Sequence, residues 1–231
     1  MTSEFTCLEP EFFAFLTDLT HNNRREWFEA NKARFREAVQ EPLVRLVEAI
    51  GPELMTISPW FVADPRLNGG SIFRIYRDTR FSSDKTPYKT NAAAQFRHRN
   101  YRNVHTPGFY VHLAPDSVFF GGGIWLPEAA ALQKIRERIR DKPEDWAAVR
   151  NDDALRRVHG TIDGEALTRP PRGFSTDLPW IEDIKRKSFF AMVECTPDAV
   201  LQPGFLTEVV ASFRAAAPLV AFLCAALDVP Y

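Results

Sequence analysis

Arg74, Arg77, Arg80, Lys85 and Lys89 fall within eighteen consecutive positions, Arg74 to Asn91, together with Asp78, Asp84, two tyrosines and six Ser, Thr or Asn residues. Arginine presents a rigid fork of donors that matches carboxylate or phosphate, and lysine adds a movable point charge. Residue types in this density point to an anion site. In that reading Arg74, Arg77, Arg80, Lys85 and Lys89 cradle the anion, Tyr88 and Ser82 donate hydrogen bonds, and Asp78 and Asp84 orient the cations. The competing reading is an ionic brace, in which the two aspartates clamp the arginines and pin the loop. Two carboxylates cannot neutralise five cations, so a brace made from this segment alone leaves three of them over.

The charge pattern around the segment favours an incoming anion. Between Arg66 and His105 there are nine basic residues against two acidic ones, a surplus of seven positive charges, although the whole chain carries −1. A positive centre in an acidic frame attracts anions and speeds their encounter. Nucleic acid is the second candidate partner, with phosphate contacts from the same block and stacking on Tyr76, Phe81, Tyr88 or Tyr101. A pI near 6.5 and the lack of a nucleic-acid motif rank it lower. The third reading is an interaction module whose ionic loop is internal.

Other groups with chemical potential are weaker. His112 is the candidate acid/base, because an ordinary imidazole titrates near neutrality. His98, His105 and His112 fall seven apart, yet no Cys or carboxylate has ligand spacing beside them, so no metal is expected. Asp84, Lys85 and Tyr88 form a further possible proton-transfer group. Gly121 to Gly123 ahead of Pro127 reads as a strand-ending turn before an anion nest, and it matches neither phosphate-loop nor dinucleotide fingerprints. Arg169, Arg172, Lys185, Arg186 and Lys187 read as a solvated charge run. No nucleophile elbow, cofactor motif or catalytic cysteine context is present, and no cofactor is expected.

The elements that must position these residues follow from periodicity. Pro10–Leu19 predicts a short helix, and Asn23 with Glu26 has capping-box spacing ahead of a second. Pro42 predicts a kink or the start of a new segment, and Gly51-Pro52 predicts the end of the helical region. Strands are predicted near Pro59–Val62, Ser71–Arg77, Ala92–His98, Phe109–Leu113, Ser117–Phe120 and Ser188–Cys195. Phe109, Val111 and Leu113 face the core, with Tyr110 and His112 on the other side. Asp163-Gly164 predicts a tight hairpin. Helices follow at Pro143–Val149, Asp153–His159 and Gly204–Leu227. The reading is an α+β single domain over residues 1–231, a central, mostly antiparallel sheet flanked by N-terminal and C-terminal helices.

Phe73 to Asn91, FRIYRDTRFSSDKTPYKTN, resembles the signature of the family known as domain of unknown function 2461. NNRREWFEANKARF, GFYVHLAP, GGGIWLPE and LTRPPRGFSTDLP resemble further segments of it in the expected order. The resemblance implies a single-domain, stand-alone cytoplasmic protein; it supplies no reaction, cofactor or catalytic residue. Composition agrees with a cytoplasmic protein, with three widely spaced cysteines, no signal-peptide pattern at the start and no unbroken apolar run of membrane-spanning length. Oligomeric state is not readable from these features.

Overall fold

The structure, a computed structural model, describes residues 5–100 and 105–231. Five antiparallel strands lie in the order β1 (Phe61–Val62), β2 (Ala92–His98), β3 (Gly108–Ala114), β4 (Ser117–Ile124) and β5 (Phe189–Cys195). Alternation decides their faces. Phe96, Phe109, Val111, Leu113 and Phe120 are buried in the helix-covered core, while Gln95, Tyr110, His112 and Phe119 point to the opposite face. The β3–β4 hairpin turns at Pro115-Asp116, with Ala114 opposite Ser117.

The N-terminal helices are α1 (Pro10–His21), α2 (Arg25–Ala30), α3 (Lys32–Phe35) and α4 (Glu41–Ile57). α1 starts on Pro10, which has no N–H to leave unsatisfied, and buries Phe12, Phe15, Leu16 and Leu19. A π-helical turn, Arg36–Gln40, precedes α4, and Pro42 stands in the first turn of that helix, starting a new segment as one of its two expected roles. α4 also runs through Pro52 rather than ending there. A proline inside a helix costs about 3 kcal/mol, and burial of Leu54 with the Ser58 N–H bond to its carbonyl holds the last turn.

Between β4 and β5 come α5 (Ala129–Asp141), α6 (Pro143–Arg150), α7 (Asp153–His159) and α8 (Ile181–Ile184); α9 (Pro197–Val200) and α10 (Phe205–Ala226) follow the sheet. α10 crosses β4 and reaches β3, where Phe213 stacks on Phe109 at 4.9 Å. Gly122 permits that approach, because a Cβ there would lie 3.0 Å from both the Ala216 Cβ and the Val220 Cγ2. By length and composition α10 qualifies as a membrane-crossing helix, which the sequence reading missed because Glu208 and Arg214 interrupt the apolar run. In this fold 67% of its apolar window is buried, as for a core helix.

Three local expectations are corrected. Gly121 to Gly123 is not a turn but the end of β4, paired with Met192, Ala191 and Phe190. Asp163-Gly164 makes no hairpin; Asp163 bridges Phe190 and Ala166 bridges Arg186, so the segment extends the sheet edge. Ser71–Arg77 is no continuous strand and touches β2 only through the Ile72–Ala94 bridge and its neighbouring bonds.

Candidate functional site

The central segment leaves the sheet edge after Phe73, closes on itself at the Tyr76–Tyr88 bridge and projects a tip over residues 78–86. Its base is fixed by backbone bonds from Arg77 N to Pro87 O, 2.9 Å, and from Lys89 N to Ile75 O, 2.7 Å. Asn23, expected to cap α2, makes no cap bond there. Its side-chain amide instead donates to Tyr88 O at 2.9 Å and accepts from Tyr88 N at 3.1 Å, acting as a short strand partner. Tyr88 is buried at 2% exposure and its ring stacks on Phe28 at 4.1 Å, so its primary role is in the core rather than as an open donor. Burial raises its hydroxyl pKa.

The tip pairs its two arginines locally. Arg80 forks onto Asp78, with Nη2–Oδ2 at 2.7 Å and Nε–Oδ1 at 2.9 Å. Arg77 bonds to Asp84 and Thr86, and Thr86 N donates to Asp84 Oδ1 at 2.9 Å. The Arg80 side-chain bonds hold the Asp78 carboxyl down at about 2, and the Thr86 backbone bond followed by Arg77 does the same for Asp84. Lys85 Nζ donates to Thr79 O at 2.8 Å. Arg77 and Arg80 are thus braced by the two aspartates, as the clamp reading expects, and three cations are left without a carboxylate.

Two of those three stand at the base. Arg74 is exposed, and among the described residues its side chain has no hydrogen bond or ion pair. The half-buried Lys89 places its ammonium 5.0 Å from the Phe73 ring centroid and has no carboxylate partner there. Burial, then the charge of Arg74, lowers its pKa. Arg74 lies on the lip of a cavity of about 490 Å³ between the π-turn region and residues 67–76. Phe28, Phe35, Val39, Leu43 and Ile75 make its walls apolar, and Lys32 and Arg36 stand at its edge. Those two are held at 3.3 Å by Glu29 and Glu41 respectively.

The remaining block is used structurally. Arg66 forks onto Asp64, Arg97 donates to Gly70 O at 2.6 Å, and Arg99 lies over Trp60. Tyr101 and Arg102 fall outside the described residues. The downstream charge run is paired rather than freely solvated at Lys185–Glu182, Arg186–Asp183 and Lys187–Glu165, whereas Arg169 and Arg172 are exposed. Asp183 is buried and also accepts from Trp146 Nε1 at 2.9 Å, a polar brace under the second core.

The histidines do not converge. His98 faces the core, stacks on Trp60 and meets Pro230 O at 2.9 Å. His112 lies on the other face, stacked on Phe119 at 4.4 Å, with Nδ1 3.2 Å from the Tyr110 hydroxyl. Burial lowers its pKa and Asp116 pulls it partly back. Lys89 contacts Phe73 and His112 contacts Tyr110, and the two rings meet edge to face at 6.2 Å; among the described residues no bond or ion pair joins the imidazole to a cation of the motif. Among the described residues no group of three His, Cys, Asp or Glu is placed to hold a metal.

The clamp by Asn23 and the role of Phe28 tie the early NNRREWFEANKARF segment to the central motif, and the comparisons cover the same span. No curated protein matches this chain. The family described as conserved hypothetical protein, DUF2461, matches residues 11–222 of the 231. The chain therefore belongs to that family.

Proposed function

We propose that the protein binds a small amphipathic anion, a carboxylate or phosphate ester on an apolar body, in the cavity beside the central motif. Arg74 anchors the charged head and Lys89 adds positive potential behind it, while the body lies against Phe28, Val39 and Leu43. One observation carries this reading: Arg74 is the arginine of the motif that lacks an internal partner among the described residues, and it stands at an apolar cavity. Arg77, Arg80 and Lys85 then shape the loop, and Asp78 and Asp84 set their geometry.

The test compares decyl phosphate, decanoate and decanol by calorimetric titration. The two anions bind more tightly than the alcohol. Arg74→Ala weakens anion binding about 10- to 150-fold, the value of a lost charge-assisted hydrogen bond, and Arg80→Ala leaves it unchanged. Equal binding of the alcohol, or an Arg74→Ala protein with undiminished affinity, overturns the proposal.

A further inference from the structure

The sheet face away from the helices carries a second cavity, of about 430 Å³, whose lining comes from strands and loops and from no helix. Its depth follows from register. Tyr110 on β3 is opposite Gly121, and Gly121 is opposite Met192; in the next row Gly108, Gly123 and Phe190 align. Gly108 and Gly123 thus put no side chains on the floor, Met192 lies against Gly121, and the rings beside them become walls. Tyr110 and Phe119 stand 5.9 Å apart on one side, and Trp125 and Phe190 stand 5.4 Å apart on the other. Trp125 is 58% exposed, so the mouth is open to solvent.

The charge in this cavity is opposite to that of the first. Glu194 is the carboxylate among its lining residues; it is exposed, sits across from Phe119 in the register, and has no ion pair among the described residues. No Lys or Arg lines the cavity among the described residues. Lys89 lies over the Phe73 ring, one wall of the cavity, and is not itself among the lining residues. Aromatic rings carry negative potential on their faces and attract cations, most effectively those with weakly held hydration shells.

From this geometry we infer that the open face is a site for an organic ammonium ion, preferentially a methylated one. The rings enclose the ammonium, and Glu194 supplies the counter-charge at the mouth. The site is separate from the Arg74 cavity and takes ligands of the opposite sign.

Titration of the full chain with benzyltrimethylammonium, followed by tryptophan fluorescence and calorimetry, tests this against neopentylbenzene, its neutral carbon isostere. The ammonium binds at least about tenfold more tightly than the isostere, within the range of a cation–π contact. Glu194→Gln and Phe119→Leu each weaken it by a similar factor, and Glu194→Gln does so with an unchanged melting temperature because the side chain is exposed. Benzoate, of opposite charge, does not compete. Equal binding of the isostere, insensitivity to Glu194→Gln, or no ammonium binding at millimolar concentration each overturns the inference.

Discussion

Asn23 offers the sharpest test of how the candidate site is held, because two roles assign it opposite responses to one conservative change. As a helix cap, Asn23 and aspartate are interchangeable, since both accept equally well at that position. As the clamp described above, Asn23 both donates to and accepts from the Tyr88 backbone. Asn23→Asp keeps the acceptor for Tyr88 N–H and turns the former donor into a second oxygen facing the Tyr88 carbonyl. The cost is one hydrogen bond plus an unsatisfied carbonyl in a buried residue, about 1–3 kcal/mol. Asn23→Ala removes both bonds and costs about 2–4 kcal/mol. For a chain of this length each kcal/mol moves the melting temperature by roughly 2–4 °C. The alanine variant is therefore expected to melt roughly 4–16 °C lower, and the aspartate variant in between. Thermal and urea unfolding of the three proteins decide the matter. A neutral aspartate substitution would falsify the clamp and restore the cap.

Four further outcomes follow. Arg80 and the Thr86–Arg77 bonds hold the Asp78 and Asp84 carboxyls down at about 2, so an NMR titration of their carboxyl carbons should find midpoints well below the ordinary value; their contribution to stability is present above the unfolded value of about 3.9 and disappears as pH falls through 2, and midpoints near 3.9 would mean the loop-tip pairs do not persist. Burial lowers the pKa values of His98, His112 and His159. The unfolded chain therefore takes up more protons, and the urea midpoint should drop as pH falls below about 6.5; a flat profile between neutrality and pH 5 contradicts that burial. Gly122→Ala forces a Cβ within 2.9 Å of the Phe109 ring and 3.0 Å of α10, so thermal unfolding should show about 1–3 kcal/mol of lost stability, and a neutral result would show that α10 yields freely. Asp183→Ala strands the Trp146 indole N–H under the second core and takes from Arg186 its buried carboxylate, leaving it Gly164 O and the exposed Asp163; it should cost about 3–5 kcal/mol in a denaturant titration, whereas a loss under 1 kcal/mol would mark the brace as dispensable.

The face assignments were legible in the sequence because a strand buried on one side alternates strictly. Phe109, Val111 and Leu113 against Tyr110 and His112 left one choice of register. The helices at Pro143, Asp153 and Gly204 were legible from their start signals and stripes. Gly121 to Gly123 was not, because glycine triplets ordinarily break strands. Here Gly122 is required by the close passage of α10, more than eighty residues further on. Asn23 misled for a related reason: a local capping partner and a partner sixty-five residues away look the same along the chain. Within the candidate site, the charge count correctly left three cations without a carboxylate. It could not say which three, since that depends on the i,i+2 fork of Arg80 onto Asp78 and on the turn at Thr86. The aromatic cavity joins β3 and β4 to β5 across the 64 residues of helix and loop between Ile124 and Phe189, and no local pattern announces it.

The division of the motif into a tip of paired arginines and a base of unpaired cations has an energetic consequence. Arg74 and Lys89 are like charges near enough for one to depress the pKa of the other, with no carboxylate to offset them among the described residues. Keeping them together is a standing cost to the folded state. At the tip the fold removes such a cost with aspartates two and seven residues away from their arginines. At the base it leaves the cost in place beside an apolar hollow. A bound anion would relieve that repulsion while the hollow received the rest of the molecule. The protein should then gain stability from the ligand in proportion to RT ln(1 + [L]/Kd). The gain should shrink in Arg74→Ala as its weaker affinity dictates, and the unliganded variant should be no less stable than the parent because the like-charge pair is gone. A motif whose cations served only to brace the loop predicts the reverse, a destabilised variant and no response to the anion.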